Sequence, residues 1–168
     1  MLRLSTPFTE TDVAQMDVGD MLYISGYIFC GRDAVLPKIV NEIREGALDP
    51  HIDLRGGVIF HTAVSPAGVG PTSSSKLEIE ASMVPLSKYA GIKMHLGKGK
   101  IKDETVRALA EMNAVYAVIP PITALLESRT SNRVCVAHGE LGMEAFYRIR
   151  VENYPVIIAA ARGRSIYQ

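Results

Sequence analysis

An α/β fold is what this chain predicts, and three observations predict it. Short apolar runs rich in β-branched residues alternate with segments whose apolar residues recur at helical spacing. The run Gly57-Val58-Ile59-Phe60-His61-Thr62-Ala63 feeds directly into a Gly/Pro/Ser/Thr segment, Ser65 to Ser75, that ends in the cation Lys76. Two further strand-like runs end in the same way. Met21 to Ser25 leads into Gly26–Ala34 with Arg32, and Ile92 to Leu96 leads into Gly97-Lys98-Gly99-Lys100. At 168 residues a single domain over 1–168 is expected, large enough to bury a substantial core.

Taken in order, the N-terminal dozen residues read as an arm along the surface or toward a partner. Met21 to Phe29 reads as a strand. Asp33 to Glu45 reads as a helix with Ile39, Val40 and Ile43 on its apolar stripe, ended by Gly46. Gly57 to Ala63 is a buried strand, followed by a functional loop as far as Lys76. Lys93 to Leu96 is a short strand. Asp103 to Met112 is a helix with Asp103 near its cap and Val106, Leu109 and Ala110 inward. Val115 to Ile119 is a strand, and Pro121 opens a short helix to Glu127. Cys135–Ala137, Phe146–Val151 and Val156–Ala160 complete the sheet.

The segments after the strands carry the chemistry. A buried strand running into a Gly/Ser/Thr loop presents backbone N–H groups and hydroxyls to an anion. The plain alternative is a turn-rich connector whose hydroxyls cap the next helix. Open α/β sheets bind ligands beyond the carboxyl ends of their strands. Arg32, Lys76 and Lys98 would converge there on a carboxylate or phosphate, with Arg32 able to grip a carboxylate through two N–H groups. Each cation alone reads as a solvated surface charge; their shared context makes the pattern.

Composition narrows the function classes. Eighteen Lys plus Arg balance eighteen Asp plus Glu, and tryptophan is absent, so no basic face or aromatic-rich motif suggests nucleic acid. No apolar run reaches bilayer length and the N-terminus lacks a signal-peptide core, so a cytoplasmic protein is expected. Apolar residues make up 48% of the chain, which suggests a surface buried against a partner. Cys30 and Cys135 are too few for an iron–sulfur cluster and read as small buried hydrophobes. His51, His61, His95 and His138 show no paired spacing, so no metal site is expected in this chain. Neither Gly68-Val69-Gly70 nor Gly97-Lys98-Gly99-Lys100 has the spacing of a phosphate loop, which weakens a nucleotide-binding enzyme.

Several motifs together carry a family resemblance. Leu4-Ser5-Thr6-Pro7-Phe8, Val18-Gly19-Asp20 and Ser25-Gly26-Tyr27-Ile28 open the chain. Gly31-Arg32-Asp33-Ala34, Gly70-Pro71-Thr72-Ser73, Gly97-Lys98-Gly99 and Glu140-Leu141-Gly142-Met143-Glu144-Ala145 follow in order. In these the chain resembles the beta subunit of two-subunit class I, iron–sulfur-dependent fumarases and L-tartrate dehydratases. That subunit is equivalent to the C-terminal domain of the single-chain enzymes. Lys76 stands where the family often has Arg, Leu36 where it often has His, and Ile119–Ala124 where it has a Gly-Gly-Ala-Ala-like run.

The resemblance implies a three-layer β/β/α swivelling domain and a hydro-lyase acting on a 2-hydroxy dicarboxylate, malate to fumarate above all. It implies an alpha subunit holding a [4Fe–4S] cluster, whose iron gives Lewis-acid help to the leaving hydroxyl. It also implies a heterotetramer with that subunit, or a homodimer when the chain is alone. Thr72 matches a threonine at the proton-transfer position, and Lys98 matches a catalytic cation. Arg32, Lys76, Gly70 and Ser73 match substrate-binding positions. Asp33 is expected to orient Arg32 or cap the helix, and Glu140 and Glu144 to form structural pairs. The alternative from another class is a non-catalytic anion- or metabolite-binding module on the same scaffold.

Overall fold

Strand β2 (Met21–Cys30) is the hub of the computed structural model, which describes residues 2–65, 68–72, 76–120 and 123–167. It pairs in parallel with β1 (Leu2–Ser5) near its start and with β3 (Val58–Phe60) at its end. The same direction continues through β6 (Met94–Gly97) and β7 (Val115–Val118), with β4 (Thr62–Ser65) and β5 (Gly68–Thr72) set aside as a separate pair. Antiparallel β9 (Phe146–Ala161) then joins β7 back to β2. The ring β2-β3-β6-β7-β9 therefore closes on itself, a small barrel-like sheet flanked by helices. Closure pairs every strand of the ring with two others, while further strands attach outside it.

Alternation fills the barrel. Ile28 and Cys30, Val58 and Phe60, Met94 and Leu96, and Val115 and Ala117 point to one shared core. On β9 the inward set changes parity, from Ile149 and Val151 to Tyr154, Val156 and Ile158. A register shift opposite Ile24 and Gly26 explains it, because one extra residue flips every later side chain. Asn153 sits in this bulge at φ 48°, where Asn is tolerated. The bulge is tied down by Arg129 donating to the Asn153 carbonyl at 2.6 Å and by Arg3 donating to its side chain at 2.9 Å. Sequence reasoning expects two strands here; the bulge lets one long strand bend through Glu152–Asn153 instead.

Three helices cover one wall. α2 (Leu36–Glu45) buries Leu36, Ile39 and Val40, and Gly46 ends it at φ 70° as expected. α3 (Lys76–Ala90) packs between α2 and α4 (Asp103–Glu111). Leu86 of α3 joins the cluster of Phe29, Leu36 and Ile59, while Met83 joins that of Leu109 and Tyr116. The sequence reading assigns no element between Lys76 and Lys93; α3 forms there, with the buried Met83 and Leu86 flanking Pro85. The remaining elements are α1 (Glu10–Ala14), α5 (Thr123–Ser128), β8 (Thr130–Ala137) and the short β10 (Arg164–Ser165).

The N-terminal arm differs from expectation. Its apolar Leu2 and Leu4 pack on the core while β1 takes a place beside β2. Thr9 and Asp12 then close a capping box at the start of α1, with bonds of 3.1 and 2.9 Å. Pro121, expected to open α5, lies outside the described residues. Among the described residues no helix is long and apolar enough to cross a membrane.

Candidate functional site

Because β2, β3, β6 and β7 run in one direction, their carboxyl ends share one rim of the sheet. Arg32 follows β2 and Lys98 follows β6, so the topology brings these two predicted cations to the same rim. The predicted loop after β3 is instead largely a hairpin. β4 (Thr62–Ser65) runs out from the rim and β5 (Gly68–Thr72) returns antiparallel. The register Thr62↔Thr72 sets the Thr72 backbone beside Thr62, directly after the carboxyl end of β3. Gly70 lies on β5, and Lys76 opens α3; for Gly70, Thr72 and Lys76 the backbone is what is described. Ser73 lies outside the described residues.

Local packing explains how Arg32 is held. Gly31 donates to the Phe60 carbonyl at 3.1 Å, and the Arg32 carbonyl accepts from Leu36 at 2.9 Å at the start of α2. A Cβ on Gly31 would come within 2.8 Å of Val35 Cγ1 and 3.0 Å of Leu36 Cδ2, so any larger residue would displace those buried side chains. The Arg32 guanidinium forms a two-point ion pair with Glu144, which raises its pKa further. Asp33 does not occupy the cap of α2; Val35 does, without a side-chain cap bond. Glu140 pairs with His138, so both expected structural pairs of the Glu140–Glu144 stretch are present.

Support for Lys98 comes from residues that no motif marks. Gly99 adopts φ 78°, and the buried Tyr116 hydroxyl donates to its carbonyl at 2.9 Å. Burial pushes the Tyr116 phenol up, so it stays a neutral donor. The buried Glu80 carboxylate accepts from the Lys102 amide at 2.8 Å and the Thr105 hydroxyl at 2.7 Å. These contacts fix the segment from Gly99 to Lys102 that directly follows exposed Lys98.

Beneath the rim lies a buried polar chain. His61 Nε2 and His95 Nδ1 are 3.1 Å apart, and Ser87 Oγ of α3 lies 2.9 Å from His95 Nε2. Both rings are fully buried. Burial pushes His61 down to about 3 and His95 well below the usual imidazole range, so the pair is neutral. His61 Nδ1 has no hydrogen-bond partner among the described residues. Among the described residues no three His, Cys, Asp or Glu side chains converge.

An iron–sulfur cluster does not fit this chain on its own. It has two cysteines, and Cys30 is inside the barrel core with its thiol pushed up by burial. Cys135 is exposed on β8. Three thiolates cannot be assembled from them.

Arg32, Lys98 and the hairpin strand of Thr72 thus gather at one rim of an α/β domain. The chain belongs to the Fumarase C-terminus family, whose model matches residues 1–168. It is 30% identical to a protein of Methanocaldococcus jannaschii provisionally named L(+)-tartrate dehydratase subunit beta, over 95% of this chain and 88% of the relative. It is 27% identical to the L(+)-tartrate dehydratase subunit beta of Escherichia coli K12, over 93% of this chain and 81% of the relative. The anaerobic class I fumarate hydratase of that organism is 27% identical over 98% of this chain. There the chain spans only 32% of the relative's length.

Proposed function

We propose that this chain is the beta subunit of a hydro-lyase that reversibly removes water from a 2-hydroxy dicarboxylate, most directly malate to fumarate. Its active site is completed by an alpha subunit that holds the [4Fe–4S] cluster. The observation that carries the reading is the shared rim, to which the parallel strands β2 and β6 bring Arg32 and Lys98 and the β4–β5 hairpin brings the Thr72 backbone. The relatives named as tartrate dehydratase beta subunits and as a single-chain fumarate hydratase support the division into two subunits. The reading takes residues 1–168 as one β/β/α swivelling domain. It is supported by α2, α3 and α4 lying together on one wall of the barrel-like sheet.

The chemistry asked of this chain is electrostatic. Removing a proton from the carbon beside a carboxylate builds a doubly charged aci-carboxylate, which fixed cations and N–H donors stabilise more than they stabilise the ground state. Arg32 and Lys76 bind the substrate carboxylates, with Gly70 and Ser73 offering backbone and hydroxyl donors. Lys98 stands where the new charge develops. Thr72 acts at the transferred proton. A hydroxyl is a weak base unless activated, so the alternative role for Thr72 is to position the substrate. Lys76 keeps a positive charge without the planar fork of Arg, so it recognises its carboxylate as a point charge.

Kinetics of the two-subunit complex with malate, fumarate and tartrate test this. Lys98→Met should lower kcat at least tenfold without loss of folding, and Arg32→Met should raise KM at least tenfold. Wild-type kinetics in both variants would favour the non-catalytic anion-binding module.

A further inference from the structure

We propose that Glu144 is a positioning residue for Arg32: it holds one edge of the guanidinium so that the other edge faces a substrate carboxylate. This deepens the function proposed above and rests on Arg32 being a carboxylate ligand.

A guanidinium is flat and offers two edges that each match a carboxylate, Nε with Nη2 and Nη1 with Nη2. Glu144 takes the inner edge. Its Oε2 accepts from Nε at 3.2 Å and its Oε1 accepts from Nη2. A carboxylate that blocked the site would take the outer Nη1/Nη2 edge. Among the described residues no other acceptor is bonded to Arg32, and 28% of its side chain is exposed. The occupied edge therefore orients the head, and the outer edge is left for a ligand.

Glu144 is itself held firmly. It ends the 3₁₀ turn Gly139–Glu144, which neighbours strand β4 of the rim hairpin. His138, at φ 56° before that turn, bonds Glu42 of α2, the helix that begins just beyond Arg32. At the other end Tyr147 donates to the Gly142 carbonyl at 3.1 Å. Phe146 stacks on Phe29 of β2 with ring centroids 5.4 Å apart and planes 6° from parallel. Both partners of the ion pair, 112 residues apart in sequence, are thus anchored on the same two elements, β2 and α2. Fixing the Arg32 head before substrate arrives removes the rotamer freedom that binding would otherwise have to restrict.

The test is a double-mutant cycle in the two-subunit complex, with malate and tartrate as probes. Glu144→Gln keeps the size of the side chain but turns one acceptor into a donor facing an N–H. It should raise KM about tenfold, leave kcat within about threefold and leave the thermal midpoint nearly unchanged. In an Arg32→Met background the same change should add nothing to KM, because Glu144 acts only through Arg32. Glu144→Asp, with both acceptors on a shorter stem, should give a smaller rise and serves if Glu144→Gln does not assemble. A wild-type KM in the Glu144 variants, a loss confined to thermal stability, or an equal KM rise with and without Arg32 overturns the inference. If Arg32→Met raises KM while the Glu144 variants do not, the proposed function stands and this inference alone falls. If Arg32→Met leaves KM unchanged, the carboxylate-binding reading falls and takes the inference with it.

Discussion

Acidification should destabilise this domain through His61 and His95, two imidazoles buried side by side under α3. Both have folded-state pKa values below the ordinary 6.5, with burial as the main cause. The folded chain keeps them neutral, whereas the unfolded chain takes up a proton on each below about pH 6.5. Stability is therefore full above that value and falls as pH drops, until the folded pair can itself be protonated, near 3 for His61. From pH 7.5 to pH 5, each such group costs about 2 kcal/mol, or about 4 kcal/mol for the pair. His138 works in the opposite sense, since Glu42 raises its pKa and its contribution is largest at low pH. Its ring is partly exposed, so the buried pair dominates. Urea unfolding of the chain across this pH range measures the loss directly. NMR titration of the imidazoles in the folded chain assigns it, because His61 and His95 should stay neutral at pH 5. A stability that is flat from pH 7.5 to 5, or a buried imidazole that titrates near 6.5 in the folded chain, would refute the reasoning.

Two further outcomes concern the rim. If Thr72 acts in proton transfer, Thr72→Ala and Thr72→Val should both lower kcat in the two-subunit complex with little change in KM; a rise in KM alone would make it a binding residue. Tyr116→Phe should remove the bond to the Gly99 carbonyl, cost about 1 kcal/mol of stability in urea unfolding and loosen the Lys98 turn; unchanged stability and kinetics would remove Tyr116 from its support.

Much of the fold is written locally in the sequence. β2, β6, α4 and β7 lie within a few residues of where periodicity and breakers place them, and Gly46 ends α2 in the left-handed conformation expected of it. What escapes local reading depends on distant partners. β1 becomes a strand because β2 offers its edge, and the Gly-rich run after Val64 becomes a hairpin strand because Thr72 pairs with Thr62. Glu152-Asn153-Tyr154-Pro155 looks like a turn, but β2 continues past it and Arg3 and Arg129 secure the bulge. The cations Arg32 and Lys98 are legible as residues that follow strands. The grip of Glu144 on Arg32 is not, since nothing in either neighbourhood encodes a contact 112 residues away.

The division of labour between subunits is the central claim, and assaying the chains apart and together tests it most directly. This chain alone should fold, bind no iron–sulfur cluster and leave malate, fumarate and tartrate untouched, because its two cysteines cannot supply a cluster's thiolates. Combined anaerobically with a cluster-loaded alpha subunit, it should hydrate or dehydrate a dicarboxylate. Turnover by this chain alone would contradict the account, as would a stable, cluster-loaded complex inactive on every dicarboxylate.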